Sequence, residues 1–273
     1  MDNTPNTTPT DASWLNQTPK PGPSGLRGKF DKGRFKKRKR NKKTIPLELR
    51  TPNSTASTTT CTRAITDSTT PFKTTQSKIL FGPHEIDATV TTDPSIADQW
   101  IDDTRAAHHA TNGKQIVVGL DCEWKPNRHR RQNNKIALLQ LCTGSRCLIL
   151  QLKYMNPVPD SVKEFLLDET ITFVGVGVGE DVEKLKGSYG LECANSMDLK
   201  PVCNAFLGVE TKMCKGLKGY AREILGFELQ KSKNATMSNW EEWNLKESQI
   251  RYACLDAFVS YLLGCKVLEG KSD

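Results

Sequence analysis

The stretch Ile116-Val-Val-Gly-Leu-Asp-Cys-Glu-Trp124 constrains this chain more than any other. Ile116, Val117, Val118 and Leu120 give the continuous apolar run of a strand covered on both faces, and Asp121 and Glu123 then interrupt it. Residues two apart on a strand share a face, so the two carboxylates point together. Held that close, they repel unless a cation or a shared proton neutralises them. The pair therefore asks for a metal, although taken alone it fits equally well a strand end that caps a turn or faces solvent.

The surrounding pattern is that of a mixed α/β domain. Order is expected from about Lys78-Ile-Leu-Phe81, and Asp93-Pro-Ser-Ile-Ala-Asp-Gln-Trp-Ile101 reads as a capped helix start running to about Asn112, where Asn112-Gly113 punctuates it. After the opening strand and a polar loop from Pro126 to Asn134, Lys135–Cys142 reads as a second strand. The tight turn Thr143-Gly-Ser145 leads into a third, Arg146–Leu150. These three strands are expected to form an antiparallel meander. Val162, Phe165 and Leu166 then fall at helical spacing, Thr172–Val178 reads as a strand, Glu180–Lys186 as a short helix and Ser196–Leu199 as a short strand. Gly216–Leu225 and Lys246–Leu268 are the long helical segments, the second with Ile250, Cys254, Ala257, Tyr261 and Leu262 along an apolar face. Three antiparallel strands followed by alternating helix and strand give a mixed sheet with helices packed on its faces.

Composition separates this domain, residues 78–270, from what precedes it. Residues 1–77 are rich in Thr, Pro, Ser and Asn and poor in large apolar side chains, a mixture expected to stay largely disordered. They also hold the basicity. Of the formal charge of +8, residues 1–77 carry +10, from fifteen Lys and Arg against five Asp and Glu, so residues 78–273 carry −2. The cluster between Arg27 and Lys43 culminates in Lys36-Lys-Arg-Lys-Arg-Asn-Lys-Lys43, dense positive charge that suits an importin or a phosphate backbone. A nuclear protein, with some presence in the cytoplasm open, is the expectation. Nine cysteines, with no CxxC or Cys/His zinc spacing, and no apolar run of 18 residues argue for a reducing compartment, no structural zinc and no membrane span.

If Asp121 and Glu123 hold a hard divalent ion, further oxygen ligands must come from elsewhere, since such ions take about six. Asp181 follows the glycine-rich strand end Val174-Gly-Val-Gly-Val-Gly179, where strand ends line the functional crevice of an α/β sheet. It also fits a helix first-turn acid, and Glu180 competes with it at the same turn. Within Arg251-Tyr-Ala-Cys-Leu-Asp-Ala257, Tyr252 and Asp256 are four apart and lie on one helical face. An Asp buried beside Cys254 and Leu255 needs a partner, and a metal is the economical one.

Together, a strand DxE, an Asp about sixty residues later and a helical YxxxD about seventy-five beyond that resemble the tyrosine-bearing branch of the DEDD 3′–5′ exonuclease superfamily. Asp121-Cys-Glu-Trp124, Lys135-Ile-Ala-Leu-Leu-Gln-Leu-Cys142, Phe173-Val-Gly-Val-Gly177, Ser238-Asn-Trp240, Leu245 and Gln249-Ile-Arg-Tyr-Ala253 resemble Werner-type exonucleases, in the stand-alone form described in plants. The resemblance implies a ribonuclease-H-like fold, two Mg²⁺ or Mn²⁺ ions, and removal of nucleotides one at a time from nucleic-acid 3′ ends, DNA before RNA. It further implies that Asp121 bridges the ions, Glu123 and Asp256 complete one site, Asp181 holds the second through water, and Tyr252 orients the nucleophilic water. Lys125, Arg128, Arg130 and Arg131, just after the metal pair, are candidates for phosphate contact, with a solvated loop as the alternative. A catalytically weak nucleic-acid-binding or scaffold protein of the same fold, recruiting partners through the basic tail, is the rival reading, and the presence of all four acids and the tyrosine counts against it.

Overall fold

A computed structural model describes residues 72–109, 115–208, 216–230 and 233–269. The basic run Lys36–Lys43 and the rest of residues 1–71 lie outside them, as does Asn112-Gly113. Among the described residues, seven strands form one sheet in the order β1-β2-β5-β4-β3-β6-β7. Its middle is the expected meander: β3 (Ile116–Glu123), β4 (Leu138–Thr143) and β5 (Arg146–Leu150) run antiparallel, with Asp121 opposite Gln140, Glu123 opposite Leu138 and Cys142 opposite Cys147. On the far side of β3, β6 (Ile171–Gly175) and β7 (Ser196–Asp198) add in parallel.

The other flank holds a hairpin that sequence reading missed. β1 (Thr74–Phe81) and β2 (His84–Thr91) pair antiparallel around Gly82-Pro83, and β2 lies parallel to β5. β1 starts at Thr74, four residues before the expected onset of the ordered domain. Its first half, Thr74 to Ser77, is polar because it is the outermost strand of the sheet, and only Ile79 and Phe81 reach the core. Further along, Lys135 to Ala137 precede β4 rather than belonging to it, and β6 stops at Gly175. Gly177 then takes a left-handed conformation (φ 81°), and Val178, expected at a strand end, opens a helix instead.

Helices cover both faces. α1 (Pro94–His109), α2 (Asp160–Leu166) and α3 (Val178–Tyr189) pack on one side. α1 is capped as expected, with the Ser95 amide donating to Asp93 Oδ1 at 2.9 Å. On the other side lie α4 (Leu199–Phe206), α5 (Leu217–Tyr220) continuing as a π-helical turn over Ala221–Leu225, α6 (Lys233–Thr236) and the long α7 (Glu247–Glu269). β3 serves both cores by alternation: Ile116, Val118, Leu120 and Cys122 enter the first, while Val117, Gly119, Asp121 and Glu123 face α7. No helix among the described residues is long and apolar enough to cross a membrane.

Two glycines let α7 settle onto the sheet. A Cβ at Gly119 of β3 would stand 2.0 Å from the Ala257 carbonyl oxygen and 2.7 Å from the Tyr261 nitrogen, both backbone atoms. A Cβ at Gly264 of α7 would meet the side chains of Val174 at 2.8 Å and Val117 at 3.1 Å. The second conflict is with side-chain atoms of two valines, which must give by a few tenths of an ångström, whereas the first is with backbone and requires the helix to move. Helical Gly→Ala also gains intrinsic propensity of about 1 kcal/mol. We therefore expect Gly264→Ala, its packing cost partly offset by helix propensity, to lose less than Gly119→Ala, which should lose at least the ~1–3 kcal/mol typical of overpacking, read from urea unfolding midpoints.

Candidate active site

The site is assembled by three elements. β3 carries Asp121 and Glu123 to its C-terminal end, and α7 brings Asp256 across from the following layer. Carboxylate oxygens of Asp121, Glu123 and Asp256 lie within 4.8 Å of one another. The contact at Gly119 explains why: it seats the Ala257 carbonyl on β3 two residues before Asp121, and Asp256 is the neighbour of Ala257. Asp256 is 4% exposed and its two partners are half-buried.

α3 contributes the third edge. Gly175 lets β6 pass close to β3, because a Cβ there would stand 2.7 Å from the Leu120 carbonyl oxygen. The chain turns at Gly177, whose amide donates to Asp198 Oδ1 at 3.0 Å, and α3 begins at once. Its first turn exposes Glu180 and buries Asp181, which is 9% exposed. Burial, with a smaller contribution from the Glu180 charge, pushes the Asp181 carboxyl up to about 7. Asp181 stands outside the 4.8 Å cluster of three carboxylates, yet its field reaches the same strand. The thiol of Cys122, on the opposite face of β3, is held well above its usual range by burial first and then by Asp181, Asp121 and Glu123. Of the two acids that competed at this turn, geometry turns Asp181 inward and Glu180 to solvent.

Tyr252 lies one helical turn before Asp256 and leans on Trp240, their rings 5.8 Å apart and tilted by 50°. The Trp240 ring is fully buried. Gln249 fixes its segment to the start of α7, donating to Ser238 Oγ at 3.0 Å and to the Asn239 carbonyl at 3.2 Å, while its own Oε1 accepts from the Lys246 amide at 2.9 Å. This bracket around Tyr252 was not assigned from the sequence, where Ser238-Asn-Trp240 and Gln249 entered only as points of resemblance. A cavity of about 420 Å³, lined by Tyr252, Asp256, Arg251, Lys218 and Gln230 among others, opens beside them. A larger one, about 720 Å³, lies off the acids between Asn133–Ala137 and Ser188–Tyr189.

The four basic residues after the pair divide. Lys125 is half-buried with Nζ 3.7 Å from Glu241, a carboxylate that also takes Lys153 at 2.9 Å. Arg128, Arg130 and Arg131 are exposed on a loop fastened by Asn134, whose Nδ2 donates to the Lys125 carbonyl at 2.7 Å.

Chemically, the cluster is a set of hard, acceptor-only oxygens. It suits Mg²⁺ or Mn²⁺ rather than a thiolate-bound metal, since Cys122 faces the opposite core. Three carboxylates so close repel one another in the absence of a cation. Glu123→Gln is accordingly expected to raise the stability of the metal-free chain by about 0.5–2 kcal/mol, as loss of a functional charge often does. Urea unfolding in the presence of a chelator measures it, and an unchanged or lower midpoint would show that repulsion in the cluster is already relieved.

Comparison with known proteins agrees with the geometry. A family profile described as 3′–5′ exonuclease matches residues 90–268. An Arabidopsis thaliana 3′–5′ exonuclease is 32% identical over 157 residues, covering 57% of this chain and 54% of that protein. Human exonuclease 3′–5′ domain-containing protein 2 is 34% identical over 154 residues, 54% of this chain and 24% of that protein. The mouse bifunctional 3′–5′ exonuclease/ATP-dependent helicase WRN is 30% identical over 148 residues, 54% of this chain and 10% of that protein. The chain thus spans from a tenth to about half of these relatives' lengths. Among solved structures, Escherichia coli RNase D superimposes with a TM-score of 0.54 at 22% identity, over 66% of this chain and 44% of that one. That likeness shows the fold, the ribonuclease-H-like mixed sheet with helices on both faces.

Proposed function

The chain belongs to the 3′–5′ exonuclease family, and from that membership we propose that it is a divalent-metal-dependent exonuclease hydrolysing phosphodiester bonds at nucleic-acid 3′ ends. The observation that carries the reading is the meeting of Asp121, Glu123 and Asp256 from a strand and a helix more than 130 residues apart. Carboxylates gathered this closely serve folding poorly and cation binding well.

In this reading Asp121, Glu123 and Asp256 would hold one Mg²⁺ or Mn²⁺ ion, and Asp121 with Asp181, through water, a second. Bound ions of this kind supply charge neutralisation at the attacking and leaving oxygens and a lowered pKa for coordinated water. The protein's part is positional. The Tyr252 hydroxyl orients the nucleophilic water, and Trp240 together with the Gln249 bracket limits the swing of the Tyr252 ring. The exposed Arg128, Arg130 and Arg131 contact substrate phosphates, and Lys125, committed to Glu241, contributes mainly by fixing the start of their loop. The run Lys36–Lys43 acts as an importin-binding signal for nuclear entry.

Purified chain given a 3′-recessed DNA duplex with Mg²⁺ or Mn²⁺ should shorten the recessed strand one nucleotide at a time, and a chelator should stop it. Asp121→Ala and Asp256→Ala should reduce the rate to background, and Tyr252→Phe should lower it by about 10²-fold, the usual penalty for misplaced reactants. Equal degradation by the alanine variants would sink the assignment. Binding without cleavage by the parent would return the scaffold reading, and a matched RNA duplex in the same assay decides between the two polymers.

A further inference from the structure

Beside the acids, on the neighbouring strand β4, lies a side chain to which neither the fold nor the proposed chemistry gives a role. Gln140 of β4 is 0% exposed, and neither its Nε2 nor its Oε1 has a hydrogen-bond partner. Gln151, by contrast, leaves only its Oε1 unbonded, because its Nε2 donates to the Glu242 and Trp243 carbonyls. A buried amide with both ends unsatisfied is destabilising, and an apolar residue of the same shape would avoid the cost. Its neighbours are suited to such a residue: Leu138 and Cys142 flank it on β4, and Ile149 stands opposite on β5.

The register says what the amide faces. Gln140 is directly opposite Asp121, so both side chains leave the sheet toward α7. The Cβ atoms of directly opposed residues in antiparallel strands are about 4.5–5.5 Å apart, a span that a glutamine amide crosses with its own length. We propose that Gln140 is a positioning residue for Asp121, its Nε2 donating to the Asp121 carboxylate when that carboxylate turns onto a divalent cation. The inference rests on the reading of Asp121, Glu123 and Asp256 as cation ligands. Gln140 then has its partner only in the metal-bound state, and the metal-free state bears the cost of an amide held ready.

This arrangement has a signature that a structural glutamine lacks. Replacing the amide by an apolar side chain should leave the metal-free protein as stable or more so, while weakening cation binding. Gln140→Leu and Gln140→Met, made in the full chain, are compared with the parent by thermal unfolding in chelator and by Mn²⁺ titration followed through the spin-resonance signal of the free ion. Both variants are expected to unfold no lower than the parent without metal and to bind Mn²⁺ about 10–100-fold more weakly, the usual effect of losing a group that orients a metal ligand. Variants that match the parent's Mn²⁺ affinity within twofold overturn the inference and leave the ligand reading standing. A clear loss of metal-free stability in both variants also overturns it, since the amide then has a structural partner. A parent that takes up no Mn²⁺ overturns the ligand reading and this inference with it.

Discussion

The approach of α7 to β3 at Gly119 is the contact on which the rest of the molecule depends. Backbone meets backbone there, with no room for a single methyl group, and the position of Asp256 relative to Asp121 follows from it. A helix resting on an ordinary strand side chain would stand farther from the sheet and carry its carboxylate away with it. The small or narrow residues that α7 turns inward, Ala253, Ala257, Ser260 and Gly264, continue the close seating along the helix. Sheet and helix are thus joined most tightly beside the place where three negative charges are brought together.

That juxtaposition runs against the stability of the fold and needs the two cores to hold it. On one side of β3, Val118 and Leu120 join the core beneath α1 to α3, and on the other α7 packs over β3, β4 and β5 while its Phe258 meets Phe81 and His84 of the hairpin edge-on. Burial of apolar surface at roughly 25 cal/mol per Å² across both faces is large compared with the repulsion among two half-buried carboxylates and the buried Asp256. Asp121 and Glu123 sit where β3 ends and are half-buried, so the repulsion with the buried Asp256 falls at the margin of the packed layers. Asp181 is buried as well, and its burial raises its carboxyl toward neutrality while Glu180, one residue earlier, remains in solvent.

Much of this was legible in the sequence where apolar periodicity was strong. β3, β5, α2 and α7 fall close to where their patterns place them, because each carries an apolar run or an apolar face that one period explains. The β1–β2 hairpin was hidden because Thr74 to Ser77 offer no apolar alternation, being an outer strand with one wet face. The start of α3 was hidden for the opposite reason. Val174, Val176 and Val178 alternate like a strand, and only the left-handed turn at Gly177, invisible to periodicity, hands Val178 to the helix. The acids were legible as residue types at a spacing, but what brings them together was not. Gly119 reads as a gap in an apolar run until the helix above it is known.

The same distinction separates residues whose environment follows from their own chemistry from those whose environment is imposed by a neighbour. Leu120 is buried wherever its strand goes. Gln140 is buried only because β4 is drawn between β3 and β5 under α7, and Trp240 meets Tyr252 only because Gln249 fastens its segment to the helix. Imposed environments of this sort surround Asp121 and Asp256, whereas in the layer formed by α1 and α2 the rings of Trp100, Phe165 and Phe173 stack edge to face, with the Trp100 Nε1 buried and without a partner. A fold that only had to be stable would have no reason to gather three carboxylates and bury beside them an amide with neither end bonded. A local conflict of that kind, compensated elsewhere in the fold, is what a chain shows where it has been shaped to bind something.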